Sequence, residues 1–317
     1  MMDAIVEDKR VRDKALRSVR FVIRRLASWA LALAPASVQR RATRVPFSRL
    51  AWLVPVLFSG CETARWRGIT LRVDPGETFG YFMYFCGDRE PDPEFDWLIA
   101  HSNDARIFAD VGAHIGMYAM AIAARRPSLH VTAFEASPSI ARRLRENLAL
   151  NPAVASRIAV VERAVASSTG ARDFLEANGP NSGVGRLSSE ADSRNTTAIC
   201  VPSITLSQHF DGHLPPDLVK IDVEGAELDV LQGWGTLPPA KAMAVELHQP
   251  AGDRQPDRRP EVVAWLLSRG YQLEYLVGEA IVEDCPKPMP DRLHVLATHT
   301  SRSNVCVSAA AAVHTRH

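Results

Sequence analysis

From Arg65 onward, short runs of alternating or wholly apolar residues read as strands, and the stretches between them, apolar every three or four positions, read as helices. WRGITLRVDPG (Trp66–Gly76) predicts a strand ending in a Pro-Gly turn, and FGYFMYF (Phe79–Phe85) a second strand, the two pairing as an antiparallel hairpin. PDPEFDWLIAH (Pro91–His101) opens with helix-start chemistry and sets Phe95, Leu98 and Ile99 on one side. From Ala105 the pattern becomes regular. ARIFADVG is a buried strand running into a glycine turn, and His114–Arg126 is a helix with small residues on the face toward a sheet. Leu129–Ala136 is a second buried strand, followed by helix Ser137–Asn151 with Ser137 as N-cap, Pro138 at its first position and an Ile140, Leu144, Leu148 stripe. Ile158–Val165 is a third strand. The polar stretch Ala177–Thr196 reads as a loop, and Ala198–Leu206 as extended chain. Strand Asp217–Gly225, helix Ala226–Trp234, strand Ala242–His248, a helix ending at Gly270, and strands Tyr271–Val277 and Arg292–His299 complete the pattern. Buried strands alternating with amphipathic helices predict an α/β protein with a largely parallel sheet, whose ligands bind beyond the carboxyl ends of the strands.

Composition changes the picture at one end only. The 317 residues are 46% hydrophobic and 23% charged, an ordinary globular balance that excludes a disordered, collagenous or disulfide-framework chain. Residues 1–49 hold 12 Lys/Arg and 4 Asp/Glu, a balance of +8, against 25 and 32 in the remainder, a balance of −7. A basic arm on an acidic body suits an anionic lipid surface or another acidic partner and argues against a body-wide nucleic-acid surface. Leu16, Val19, Ile23, Leu26 and Ala30 recur at near-helical spacing in this arm. They fit an amphipathic helix on a membrane surface or a helix packed on its own body; a cleavable signal fits poorly because Asp3, Glu7, Asp8 and Asp13 precede the apolar run. The apolar runs Leu26–Ala36 and Leu50–Phe58 fall short of the roughly 20 residues that span a bilayer. Five scattered cysteines without a CxxC pair predict reduced thiols, hence a cytoplasmic protein, with peripheral contact at the inner membrane face through the arm. The expected organisation is a basic, amphipathic helical arm over 1–60, hairpin and helix over 61–104, the catalytic domain over 105–300, and a frayed tail over 301–317.

The candidate chemistry sits at strand-to-helix junctions. D-V-G-A-H-I-G (Asp110–Gly116) ends the first core strand, and its glycines let a ligand approach the backbone beside free helix N–H donors. Glu135 ends the next strand, 23 residues after Gly112, where a carboxylate can accept both hydroxyls of a ribose. Together they predict a nucleoside-containing cofactor. Asp110 would repel a pyrophosphate and suits a ligand carrying a cationic amino group, as in S-adenosylmethionine. K-I-D-V-E-G places Lys220, Asp222 and Glu224 at alternate positions of one strand, and Glu246 and His248 repeat the spacing on the next. These carboxylates and the imidazole form the acid/base cluster of the chain; Asp222, Glu224 or His248 is the expected base. Metal binding by this set is compatible with its donors, but the spacing is not diagnostic and no metal is expected. Two alternatives stay open: an NAD-dependent oxidoreductase, disfavoured by Asp110 and the missing GxGxxG, and a non-catalytic scaffold of the same fold.

DVGAHIGMYAMAIA, TAFEASPSIARRLRENLALN, RAVASSTG, NSGVG, VKIDVEGAELDVLQG and AVELH follow one another in an order that resembles FkbM-type methyltransferases, from Arg106 to Tyr275. The resemblance implies a class I, Rossmann-like fold: a doubly wound, mostly parallel seven-stranded sheet with its last strand antiparallel. It implies S-adenosylmethionine as methyl donor and O-methylation of a small molecule or of a sugar hydroxyl in a glycan or glycolipid. By position, Asp110, Gly112 and Gly116 would line the methionine part of the cofactor, with His114 between them also cofactor-binding, Glu135 would bind the ribose, and Arg163 and Ala164 would sit beside the adenine. His114 stands where the family commonly has Asn, and Ser207 where it usually has Asp. The Gly/Ser loop Asn178–Ser189 and the charged loop Asp253–Arg259 are expected to frame the acceptor, and Trp234 is either a core residue or a sugar platform.

Overall fold

The computed structural model describes residues 61–74, 77, 80, 83–84, 87–89, 91–177, 186–187, 196–249 and 256–299. The arm, the tail, most of the Gly/Ser loop and the first part of the charged loop lie outside the described residues. None of the described helices is long and apolar enough to cross a membrane.

The chain enters through an antiparallel hairpin of β1 (Glu62–Trp66) and β2 (Ile69–Val73). Its two-residue turn is Arg67–Gly68, both at positive φ (48° and 89°), the twist that matches paired strands. This corrects the hairpin expected between Trp66–Gly76 and Phe79–Phe85. The reversal comes earlier, and Gly80, Met83 and Tyr84 are helical. The left-handed conformation of Arg67 leaves no mark in an alternating sequence, whereas Pro75-Gly76 gives a conspicuous turn signal. Ala64, Trp66, Ile69, Leu71 and Val73 are buried on one side. The free edge of β2 is taken up by side chains of a later helix: Arg72 N–H donates to Asn147 Oδ1 (2.7 Å) and Thr70 N–H to Asn151 Oδ1 (2.9 Å).

Helix α1 (Pro93–His101) starts at Asp92, whose carboxylate accepts from Phe95 N–H at 2.9 Å. The core then alternates β3 (Ile107–Val111), α2 (Met117–Arg125), β4 (His130–Phe134), α3 (Pro138–Leu150), a single turn α4 (Pro152–Ala155) and β5 (Ile158–Val161). The expected third strand, Ile158–Val165, breaks at Glu162–Arg163. Its last residues form β6 (Ala164–Val165) in a second sheet with β7 (Gly170–Ala177), β8 (Arg186–Leu187) and β9 (Thr196–Ile204), in the order β6-β9-β7-β8. The sequence pattern did not announce this sheet, because β9 buries little more than Val201 and Ser203.

After α5 (Leu206–His209), the chain returns to the main sheet as β10 (Leu218–Ile221), α6 (Glu227–Gln232), β11 (Ala242–His248), α7 (Arg259–Ser268), β12 (Tyr271–Val277), β13 (Ala280–Val282) and β14 (Arg292–His299). The main sheet has the order β13-β12-β14-β11-β10-β3-β4-β5, with β10 parallel to both β3 and β11 and the final strand β14 antiparallel between β11 and β12. These are the seven expected strands with the last one antiparallel, plus the short edge strand β13 that folds back from β12. Alternate residues serve opposite layers. Phe108, Leu218, Ala242 and Ala244 pack with α1, α2, α3 and the hairpin, whereas Ala109, Val219, Met243, Val245 and Leu247 pack with α6 and α7. Ala119, Ala121 and Ala123 are fully buried and let α2 lie close on the sheet. Strand order reverses between β3 and β10, and a cleft opens there beyond the carboxyl ends.

Candidate active site

The glycine turn is built around a close backbone approach. Gly112 has φ 82°, and a Cβ there would stand 1.8 Å from the carbonyl oxygen of Asp222, so the ends of β3 and β10 can meet only without a side chain. Gly112 and Ala113 both donate to Phe134 O (3.0 and 2.9 Å), which ties the turn to β4. Gly116 (φ 84°) starts α2 and has no capping side chain of its own. The cap comes from Asp110, whose Oδ2 accepts from Ala119 N–H at 3.0 Å. Asp110 is 1% exposed, and burial, with Asp222 nearby, outweighs Lys220 and pushes its carboxyl up to about 7.

Glu135 closes the other side. Its Oε2 accepts from His114 N–H (2.8 Å) and its Oε1 from Ser137 N–H (2.9 Å), which fixes the carboxylate plane. Burial raises it to about 7 despite these bonds. His114 holds φ 51°, and burial and then Arg143 lower its ring to about 4, so the imidazole is neutral. Arg163 and Ala164, at the break between β5 and β6, line the same cavity. That cavity measures about 680 Å³ and holds Asp110, Gly112, His114, Glu135, Arg163 and Ala164 in its wall; Gly116 stands behind, against Leu144. A concave space of this size suits a nucleoside-sized ligand. The donor set fits S-adenosylmethionine: bare glycine backbone, a carboxylate with unused lone pairs for two hydroxyls, and acid rather than base around a cationic ligand.

At the open end the structure brings together Lys220, Asp222, Glu224, Glu246 and His248. The strand stops at Ile221, so Asp222 and Glu224 lie on the turn after β10 and not within the strand as expected. Glu224 has φ 53°, an uncommon conformation for a residue with a side chain. The Lys220 ammonium is 2.9 Å from Asp222 Oδ2 and 4.9 Å from the Tyr118 ring centre. Burial disfavours its charge, but Asp222, Glu94, Glu246 and Asp110 outweigh this and keep it firmly protonated. His248 Nε2 faces Glu246 Oε1 (3.4 Å), Glu224 Oε2 (3.5 Å) and Asp222 Oδ1 (3.9 Å). Burial opposes its protonation, yet Glu227, Glu246, Glu224 and Asp222 raise it to about 10. Burial likewise raises Glu224, with His248 pulling the other way.

Several partners were not singled out from the sequence. Glu227 Oε1 accepts from His248 Nδ1 at 2.9 Å and from Gly225 N–H at 2.8 Å. Arg292 Nε lies 2.7 Å from Glu246 Oε1, and His294 Nδ1 lies 3.4 Å from Glu94 Oε2. The signal for the last two was present. R-L-H on β14 repeats the period-two spacing of E-L-H on β11, and the antiparallel register sets Glu246 opposite His294 and His248 opposite Arg292. Tyr118 donates to Asp92 or Glu94, so α1 forms a wall of the site. Trp234 is fully buried and donates to Leu237 O at 3.0 Å, which makes it a core residue. Ser207 shares a 3.1 Å hydrogen bond with Thr205 Oγ1.

The chain is similar to two curated proteins. It is 28% identical to the methyltransferase sdnD of Sordaria araneosa, over 55% of this chain and 77% of that protein. It is 29% identical to the hexuronic acid methyltransferase AglP of Haloferax volcanii, over 48% of this chain and 59% of that protein's length. Among solved structures it is similar to M. jannaschii TYW2 in complex with AdoMet (15% identity, TM-score 0.38, 75% of this chain and 84% of that one). It is also similar to precorrin-6y C5,15-methyltransferase from Geobacter metallireducens (14%, TM-score 0.37, 65% and 86%). The methyltransferase FkbM domain matches residues 110–273, a span that begins at Asp110 and takes in both the glycine turn and the acid/base cluster. The chain belongs to the FkbM methyltransferase family.

Proposed function

We propose that the protein transfers the methyl group of S-adenosylmethionine to a hydroxyl oxygen of a sugar, in a glycan or glycolipid, or of a hydroxylated secondary metabolite. The observation that carries this reading is the placing of Glu224, on a strained turn, at the mouth of the cavity that Gly112 and Glu135 line. In this reading Glu135 accepts the ribose hydroxyls, Gly112 and Gly116 shape the turn against the methionine portion, Asp110 attracts its ammonium, His114 orients Glu135 through its backbone N–H, and Arg163–Ala164 flank the adenine. The bound cofactor supplies an electrophilic methyl group. The chain's part is to hold the acceptor oxygen in line with that methyl at near-attack distance and to take the hydroxyl proton. Of the three expected bases, Asp222 is engaged by Lys220 and His248 is already protonated, so Glu224 takes the proton while Asp222 and His248 hold the acceptor. The likeness to a protein named for a hexuronic acid makes sugar acceptors the first to try.

The test is methyl-labelled S-adenosylmethionine with the full chain and a panel of neutral sugars, hexuronic acids and hydroxylated metabolites. Label in an ether linkage is expected, with Glu224→Gln lowering kcat about 10²- to 10⁴-fold at unchanged KM for the cofactor. Label found only on nitrogen or sulfur, or a Glu224→Gln enzyme at wild-type rate, overturns the assignment. The basic arm supplies charge for contact with anionic lipid, which would bring a glycolipid acceptor within reach. Equal flotation of the full chain and of residues 46–317 with anionic liposomes would remove that role.

A further inference from the structure

The buried imidazole of His248 presents a feature that proton transfer alone does not use. Its Nδ1 is committed to Glu227 Oε1 at 2.9 Å, and Glu227 is itself fixed by Gly225 N–H. This carboxylate–histidine pairing holds the ring so that the buried Nε2 faces Glu246 Oε1 (3.4 Å), Glu224 Oε2 (3.5 Å) and Asp222 Oδ1 (3.9 Å). The His248 side chain is nine-tenths buried, and Nε2 meets no hydrogen-bonding partner at proper geometry although carboxylate oxygens surround it. Asp222 Oδ1, Glu224 Oε2 and His248 Nε2 converge, with ligand atoms all within 4.8 Å of one another. Atoms that share an ion at about 2.1 Å stand about 3.0 Å apart when adjacent and about 4.2 Å when opposite. The observed 3.5 and 3.9 Å from Nε2 to the two oxygens lie inside that interval.

We propose that Asp222, Glu224 and His248 form a site for one divalent cation of the Mn²⁺ or Mg²⁺ type at the acceptor end of the cavity. Each ligand has its second atom accounted for or spare. Lys220 holds Asp222 Oδ2 and Glu227 holds His248 Nδ1, while the second oxygen of Glu224 stays available to take a proton. Glu246 is engaged by Arg292 and stays outside the set. Two carboxylates and one imidazole form a hard donor set with a borderline member, which Mn²⁺ accommodates well. Three protein ligands leave coordination positions for two acceptor oxygens, so the cation selects substrates with neighbouring hydroxyls or a hydroxyl beside a carboxylate. This role rests on the O-methyltransferase reading, but the binding of the cation does not. Occupancy displaces the proton from His248 Nε2, and the ring then ligates as neutral imidazole.

The experiment is Mn²⁺ titration of metal-stripped full chain, followed by loss of the free-ion electron paramagnetic resonance signal, with S-adenosylmethionine titrated calorimetrically on the same samples. One Mn²⁺ per chain is expected. Glu227→Ala, which keeps all three ligands and frees the ring, should weaken Mn²⁺ binding about 10- to 100-fold, and Glu227→Gln, which keeps an acceptor for Nδ1, should restore most of it. His248→Ala should abolish the site, with circular dichroism checking each variant's fold; where that variant does not fold, the Glu227 pair decides. Absence of bound Mn²⁺, or affinity equal in wild type and both Glu227 variants, overturns the cation site. If cofactor binding and methyl transfer persist in the presence of a chelator, the enzyme assignment stands and the cation's role in acceptor selection falls alone. Silence from S-adenosylmethionine in Mn²⁺-bound protein would remove the enzyme assignment and keep the site.

Discussion

Replacing Gly112 by alanine puts the close approach of β3 and β10 to a direct test. The left-handed φ of 82° alone costs a residue with a side chain about 1–2 kcal/mol. Gly68, at φ 89°, pays that penalty too, but nothing lies within 4 Å of a Cβ there, so Gly68→Ala isolates it. At Gly112 the new methyl would stand 1.8 Å from the Asp222 carbonyl oxygen and 2.8 Å from its carbon. Ordinary contact requires the two turns to part by about 1.5 Å or more. That movement strains Asp222 N–H to Val111 O (2.9 Å) and Gly112 N–H to Phe134 O (3.0 Å), each worth about 1 kcal/mol net. Gly112→Ala should therefore lose about 3–5 kcal/mol in urea denaturation, against about 1–2 kcal/mol for Gly68→Ala. By calorimetry, cofactor affinity should fall at least about 100-fold in Gly112→Ala, because the shift displaces the glycine turn by more than half an ångström, and stay unchanged in Gly68→Ala. If Gly112→Ala unfolds within about 1 kcal/mol of Gly68→Ala and binds S-adenosylmethionine as wild type does, the two turns do not touch as described.

With Asp110 and Glu135 both pushed up to about 7, the cofactor meets partly protonated carboxyls at neutral pH, and only the ionised forms attract an ammonium or accept two hydroxyls. Its Kd should tighten about tenfold or more from pH 6 to pH 8, and a flat profile would sink these roles. His248, raised to about 10, contributes stability fully below its unfolded value of about 6.5 and loses it as pH climbs toward 10. In chelator, the wild-type unfolding free energy should fall over that window and His248→Asn should flatten the slope; parallel profiles would refute it. Trp234→Ala should cost about 3–5 kcal/mol in denaturant while leaving cofactor affinity intact, as a core residue does, and loss of acceptor binding alone would speak for a sugar platform.

The main sheet was legible because its central strands are largely apolar on both faces and α3 between them carries a clear Ile140, Leu144, Leu148 stripe. Ser137 and Pro138 mark the start of α3 in sequence and in structure alike. The second sheet was not legible: β7 buries the adjacent Phe174 and Leu175 and β9 little more than Val201 and Ser203, so neither carries an apolar alternation, and their pairing spans a long polar segment. The hairpin shifted because a positive φ at Arg67 is invisible in residue type. At the site, Asp110, Gly112 and Glu135 stand at junctions that spacing alone identifies. Glu227 escaped notice because on a helix it looks like any first-turn acid; only the register of α6 against β11 shows that it holds His248. Glu94 was hidden for a similar reason, since it reaches the cavity from the helix that precedes the first core strand, where it also looks like a first-turn acid.

Helix α3 touches both ends of this arrangement. Its first residues sit beside Glu135 through Ser137, Arg143 clasps Glu77 with two hydrogen bonds (3.1 and 2.9 Å), and Asn147 and Asn151 carry the edge of β2. The amides of Thr70 and Arg72 are therefore expected to exchange with solvent when that helix lets go, with the hairpin, α3 and Glu135 opening as one cooperative unit. A ligand that immobilises Glu135 should then slow deuterium uptake at Thr70 and Arg72, just over sixty positions upstream in the chain, making the entry hairpin a reporter of occupancy.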